Sequence, residues 1–172
     1  MVLLSRIAAL IEATSRIVSR LVAGFCVVLV YVMLGLLAAQ VLMRYFLGAP
    51  PSWTEELAII LFAWLVLLYA SVGLREGFHV AIQSIPAGWI TSNRLADRLV
   101  AVLAMGFGFV CLTAGIAYVD RTSGQKTAAL QMPIEALYLA VPVCGGLFIL
   151  HAIALLIAPQ RSQETPEGTL AP

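Results

Sequence analysis

The stretch LVAGFCVVLVYVMLGLLAAQVLM, from Leu21 to Met43, holds 23 residues with no Asp, Glu, Lys or Arg. A helix rises about 1.5 Å per residue, so this run is long enough to cross a hydrocarbon layer about 30 Å thick. It exceeds the roughly 7–15 apolar residues of a secretory signal, and Arg44-Tyr45 follows where a small-residue cleavage pattern would stand. The run therefore predicts a retained membrane span. Working outward, the charges mark three more: 18 residues in Leu57–Leu74, 21 in Leu99–Val119 and 25 in Ala136–Gln160. The spans are placed at 21–43, 57–74, 99–119 and 136–158, within one domain over 21–160.

The remaining composition agrees. Of 172 residues, 62% are hydrophobic and 11% charged, against about 45–50% and 25% in soluble domains. A water-facing surface cannot be covered by so few polar groups, which excludes a soluble globular enzyme. The net charge of +1 excludes a nucleic-acid surface, which needs a dense basic field. The fold class predicted is an all-α integral membrane protein of four transmembrane helices.

Orientation follows from the short flanks, because cytoplasmic loops are enriched in Lys and Arg. Arg6, Arg16, Arg20, Arg75, Arg94, Arg98 and Arg161 fall on one face, seven in all, while Arg44, Arg121 and Lys126 make three on the other. The first face is assigned to the cytoplasm, with both termini. Residues 1–20 carry Glu12, Arg16, Ser19 and Arg20 at helical spacing, predicting an amphipathic helix along the cytoplasmic interface. Trp89 anchors a short surface helix expected in the middle loop, and residues 161–172, with Pro166, Gly168 and Pro172, read as a disordered cytoplasmic tail.

What the spans lack bears on function. Carriers place ionisable groups or broken helices at membrane depth, and no Asp, Glu, Lys or Arg lies inside the four runs. Their polar residues are chiefly Gln40, Ser71, Thr113 and His151. Such a chain is not expected to form a solute path alone. Cys26, Cys111 and Cys144 are widely separated, with no metal-ligand spacing, and read as small packing residues. One histidine, His151, lies in a span and the other, His79, in the middle loop, which does not suit a paired-histidine haem site. No cofactor, metal or catalytic residue is predicted. His151 is assigned a hydrogen bond within the bundle or to interfacial water, and His79 a capping or loop-fixing role.

Three local patterns remain. Ala101, Ala104, Gly108, Cys111 and Gly115 recur at steps of three and four, forming a stripe along which another backbone can approach closely. That stripe serves either packing within the bundle or another subunit. In the first loop, Pro50-Pro51 turns the chain and Trp53-Thr54-Glu55-Glu56 opens the second helix. Thr54 is read as its cap, Trp53 as a headgroup-level anchor, and Arg44 as a partner for Glu55 or Glu56. In the last span, Pro133 suits the first turn and Pro142 predicts a kink near Leu139–Pro142.

Together these patterns resemble the small permease subunit of the tripartite ATP-independent periplasmic (TRAP) transporters. The resemblance runs from about Arg44 to His151 through three ordered stretches. The first is Arg44-Tyr45, Trp53-Thr54-Glu55-Glu56-Leu57 and Phe62-Ala63-Trp64; the second is Arg75 with Gly77-Phe78-His79-Val80. The third is Thr127, Leu130, Met132-Pro133 and Tyr138-Leu139-Ala140-Val141-Pro142. Three positions depart: Tyr69 and Gln131 stand where similar proteins often have Gly, and Gln83 where they have an acidic or hydroxyl residue.

The resemblance implies a three-part uptake system of the bacterial inner membrane. A periplasmic solute-binding protein captures an organic acid, a large multi-span permease subunit carries it on a sodium gradient, and the small subunit braces the stationary part of the large one within the lipids. Arg44, Trp53, Glu55, Glu56, Trp64, His79, Pro133 and Pro142 are the candidate interface or structural residues. Two other readings stay open: a self-sufficient small oligomeric carrier or exporter, and the four-span helper of a tripartite tricarboxylate transporter.

Overall fold

The computed structural model describes residues 2–48, 51–76 and 93–157. Five helices follow in order: α1 Val2–Leu47, α2 Trp53–Glu76, α3 Asn93–Arg121, α4 Glu135–Tyr138 and α5 Ala140–Ile157. The only pairing outside helices among the described residues is an antiparallel bridge between Lys126 and Pro133. Four helical stretches are long and apolar enough to cross a membrane, with α4 and α5 together forming the last.

The sequence reading divides the first 47 residues at position 20, but the helix does not. α1 runs unbroken for 46 residues, about 69 Å at the usual rise, because nothing between Arg16 and Phe25 stops it except the tolerated Gly24. Its inward stripe is continuous too. Ser15, Ser19, Cys26 and Leu29 are buried, with Val22 packed beside them. This spacing of four, three, four and three is that of a helix–helix seam. Ser19, read from sequence as part of the polar outer side, therefore faces inward, where a small hydroxyl permits close approach. Glu12 and Arg16 stay on the outside as an ion pair at 2.6 Å. At its other end, α1 stops where Gly48 takes φ +71° and donates its N–H to the Arg44 carbonyl at 3.1 Å. A left-handed residue just past a helix is the usual glycine stop.

The helices gather around α5: α1 and α2 lie on each other and both touch α5, and α3 packs on α5 as well. α5 is therefore the most enclosed, while α1 and α3 keep most of their surface open. Leu74, Ala104, Cys144, Phe148 and Ala152 form one apolar cluster across α2, α3 and α5; Cys26, Leu29 and Leu68 form another between α1 and α2. Phe107 meets Phe148 edge-on at 5.4 Å between ring centres.

The closest approach is between α3 and α5, and it uses the small-residue stripe. A methyl group added at Gly145 would stand 2.6 Å from the Gly108 carbonyl and from the Leu112 amide nitrogen. One added at Gly108 would meet the Gly145 carbonyl at 2.9 Å, and one at Gly115 would meet Pro142 Cδ at 2.7 Å. Ala101 and Ala104 are buried on the same side, and Cys111 is partly covered. The stripe is thus occupied within this chain. Leu139, between α4 and α5, keeps helical torsions (φ −59°, ψ −22°), donates to the Glu135 carbonyl at 2.8 Å and accepts from Val143 N–H at 3.2 Å, so helical bonding continues from Glu135 to Ile157 through the window where a kink is expected. Pro142 has no N–H to continue the ladder, and its ring fills the space left by Gly115.

Candidate functional site

Two polar ties hold opposite ends of the helix bundle. At the end carrying the first and third loops, α2 begins at Trp53, which remains 39% exposed. Its first turn contains both Glu55 and Glu56, where carboxylates favour the helix dipole. Glu56 accepts two backbone hydrogen bonds from the third loop, from Ala129 N–H at 2.8 Å and Leu130 N–H at 2.9 Å. Successive amides converging on one carboxylate form an anion nest. The amides of Leu130 and then Ala129 hold the Glu56 carboxyl, which lies just ahead of the apolar run Leu57–Leu74, below the usual carboxylate range. Glu55 accepts from the Gln40 side-chain amide at 3.3 Å, tying α2 back to α1.

The third loop is built to present those amides. Thr127 N–H donates to the Met132 carbonyl at 2.9 Å, Ile134 N–H to the Gln125 carbonyl at 3.0 Å, and the Thr127 hydroxyl accepts from Met132 N–H at 3.3 Å. The chain reverses between them over Ala128–Gln131, and Gln131 sits at φ +53°. Glu135 steadies the loop from the other side by accepting from Gly124 N–H at 3.0 Å. The Trp64 indole N–H donates to the Ala136 carbonyl at 2.7 Å, fastening α2 to the first turn of the last span.

Several expectations at this corner need correction. Arg44 is exposed and, among the described residues, within ion-pair distance of neither Glu55 nor Glu56; backbone amides and Gln40 occupy those carboxylates instead. Thr54 is no cap. It is buried in the first turn, and its hydroxyl donates to the Pro51 carbonyl at 2.7 Å rather than accepting from a helix amide. Pro133 lies before α4, where it ends the hairpin opposite Lys126, not within the first turn.

The opposite end holds a junction that the sequence does not announce. Ser15 of α1, Arg75 of α2 and His151 of α5 meet there. Ser15 Oγ and His151 Nδ1 are hydrogen-bonded at 2.8 Å, and the Arg75 guanidinium donates to Ser15 Oγ. Ser15 and His151 are fully buried. His151 Nε2 has no partner among the described residues. His151 thus makes the intrabundle hydrogen bond expected of it. Arg75 and His151 stand out in the sequence separately, but Ser15 is 60 and 136 residues from its partners, and no local pattern links them. His79 and Gln83 lie outside the described residues. Among those described, no group of His, Cys, Asp and Glu is arranged to hold a metal.

Deeper in the spans, polar atoms turn to nearby backbone. The Ser71 hydroxyl donates to the Leu68 carbonyl at 2.7 Å, Thr113 to the Phe109 carbonyl at 2.9 Å, and the Cys144 thiol to the Leu67 carbonyl at 3.0 Å. Four apolar helices tied at both ends by polar contacts define a multi-pass membrane protein built around packing contacts. A family model described as "Tripartite ATP-independent periplasmic transporters, DctQ component" matches residues 33–161. The chain belongs to that family: it is a small permease subunit of a TRAP transporter, and the family is a transporter component rather than a group of enzymes.

The relatives agree. The chain is 28% identical over 138 residues to the C4-dicarboxylate TRAP transporter small permease protein DctQ of Rhodobacter capsulatus, a match covering 75% of this chain and 58% of that protein. It is 29% identical over 133 residues to the sialic acid TRAP transporter permease protein SiaT of Haemophilus influenzae (strain 86-028NP), covering 69% of this chain and 20% of that protein. The chain therefore spans little more than half of the first relative and a fifth of the second.

Proposed function

We propose that this chain is the non-catalytic small membrane subunit of a sodium-driven, binding-protein-dependent uptake system for organic acids. It sits in the bacterial inner membrane with both termini cytoplasmic, and it braces the stationary scaffold of a large multi-span permease subunit. The solute is captured by a periplasmic binding protein. The printed names of the two relatives, one for C4-dicarboxylates and one for sialic acid, support an organic-acid cargo.

One observation carries the bracing role. The spans hold no Asp, Glu, Lys or Arg, and the inward stripe of α3 is spent on α5. A cargo carrying a carboxylate needs compensating charge or aimed backbone along its route. Rigid seams without such groups suit a frame against which another subunit moves. The open faces of α1 and α3 give that frame area for lipid and for its partner. SiaT supports the partnership as well, because this chain matches only a fifth of that longer permease protein.

Co-purification tests the reading. The tagged chain, co-expressed with a large TRAP permease subunit from its own genome, is expected to retain that subunit through size-exclusion chromatography. Separate elution of the two would refute it. Orientation has its own test: a Ser123→Cys variant should react with a membrane-impermeant maleimide from outside intact cells, and reaction only after lysis would invert the topology.

A further inference from the structure

Beyond the transport role, the junction end of α1 has the chemistry of a lipid site. Arg16 and Arg20 are one turn apart on the exposed side of α1. Arg75 approaches from the end of α2, beside Glu76, and donates to Ser15, the residue next to Arg16 and one turn from Glu12. Three guanidiniums from two helices therefore share one corner with two carboxylates, leaving it cationic. Glu12 is engaged with Arg16, and Arg75 is positioned by Ser15. Arg20 adds its charge from an exposed position on the same face.

The depth of this corner is set by the sequence. Arg20 immediately precedes the apolar run Leu21–Met43, and Arg75 immediately follows Leu57–Leu74. Both guanidiniums thus stand where hydrocarbon gives way to headgroups, a layer about 5–7 Å deep on each side of the bilayer. One turn further in, about 6 Å along the axis, α1 carries Gly24. An added methyl there would meet nothing within 4 Å, so the helix surface has an open notch directly above the arginines. Val27 and Tyr31 continue the same face and are exposed at 54% and 71%. Phosphate binders, notch and apolar rail follow in the order phosphate, glycerol and acyl chain occur in a phospholipid.

We propose that Arg16, Arg20 and Gly24 form a binding site for an anionic phospholipid of the phosphatidylglycerol type. Its phosphate lies between the arginines, with Arg75 adding to the field, and its acyl chain lies along Val27 and Tyr31. Guanidiniums suit this ligand because their fork of donors matches phosphate oxygens. A zwitterionic lipid brings the same phosphate together with a cation that the corner repels.

Native mass spectrometry of the full chain, released from mild detergent, tests the site. Phosphatidylglycerol and phosphatidylcholine of matched chains are added in equal amounts, with inorganic phosphate as a third arm. Phosphatidylglycerol adducts should exceed phosphatidylcholine adducts by roughly tenfold, the scale expected when arginines meet an anionic headgroup. The double substitution Arg16→Gln with Arg20→Gln should abolish the preference, and Arg16→Lys with Arg20→Lys should keep most of it. Gly24→Leu, which fills the notch without touching charge, should lower the adducts of both lipids. Equal retention of the two lipids, or a preference that survives the glutamine pair, would overturn the proposal. So would displacement of the lipid by millimolar inorganic phosphate, which would make the site one for a free anion.

Discussion

At the scale of single residues, Glu56 has the clearest task. Its carboxylate is the receptor for two loop amides, and a neutral amide side chain would offer a weaker acceptor to the same donors. Glu56→Gln is expected to speed hydrogen exchange at Ala129 and Leu130 severalfold and to expose Lys126 to trypsin, with little change in helix content. Acid should act likewise. The folded carboxyl titrates below its ordinary value of about 4.3, so the tie is fully present above that value. It is lost as pH falls through the lower folded value. The protection factors of Ala129 and Leu130, exchange measured against the intrinsic rate at each pH, should therefore fall on acidification below about pH 4 in the native chain and change little with pH in Glu56→Gln.

Gln131 explains one departure from the family pattern. Its φ of +53° is a conformation that glycine adopts at no steric cost, and its side chain donates to the Ala128 carbonyl at 3.0 Å in partial compensation. Gln131→Gly should leave the melting temperature in detergent unchanged or raise it, within about 1 kcal/mol. Gln131→Val should lower it, because a β-branched residue tolerates that φ poorly. Tyr69, the other position where glycine is common, points outward at 48% exposure. Its bulk costs nothing inside this chain.

Much of the corner was legible before the fold. Trp53, Glu55 and Glu56 stand out as an interfacial anchor followed by acidic first-turn residues at a span boundary. Their partners did not stand out: backbone amides are the same at every position, so nothing in the letters marks Ala129 and Leu130 as donors. Arg44 suggests itself as their partner because side-chain charge is visible in sequence and amide geometry is not. Ser15 carries no signal in the sequence for a related reason. A serine near a charged helix face reads as solvated until a histidine far along the chain is brought beside it.

At the scale of elements, the α3–α5 seam is where two backbones come into close approach. Two backbones meet at Gly108 and Gly145, and interhelical packing in lipid depends on such close approach. Gly145→Val should lower thermal stability by roughly 1–3 kcal/mol or prevent recovery of monodisperse protein. Gly106→Ala, on the open side of the same pair of helices, should be silent. Fluorescence-detected size-exclusion after heating distinguishes the two; equal behaviour would mean that the glycines do not set the packing. Element type is readable from charge-free runs alone, since each run falls within a helical stretch long and apolar enough to cross a membrane. The seam was half readable: the stripe on α3 shows in its spacing, but the choice between an internal and an external partner depended on where Gly145 and Pro142 come to rest. Nor could the runs show that α1 is unbroken, since an interfacial helix and a continued span share the same periodicity around position 20.

The three-helix junction belongs to this scale as well. Ser15→Ala removes the hydroxyl shared by His151 and Arg75, leaving buried groups short of a partner. A loss of about 1–3 kcal/mol is expected, read as a lower melting temperature in detergent. His151→Asn, which keeps a hydrogen-bonding side chain, should recover part of what His151→Leu loses.

At the scale of the whole molecule, the proposed bracing role rests on four spans gathered around α5, with a glycine seam between α3 and α5 and polar ties at both ends. The charge-free spans point the same way, since nothing along them compensates an anionic cargo. The exposed faces of α1 and α3 are what remains for neighbours, consistent with a subunit whose partner does the moving. The decisive measurement is sodium-driven uptake of labelled organic acids into proteoliposomes. It compares this chain alone, the large permease subunit with its binding protein, and all three together. Uptake is expected with all three, reduced or absent without this chain, and absent with this chain alone. Sodium-dependent accumulation by this chain alone, without its partners, would contradict the account.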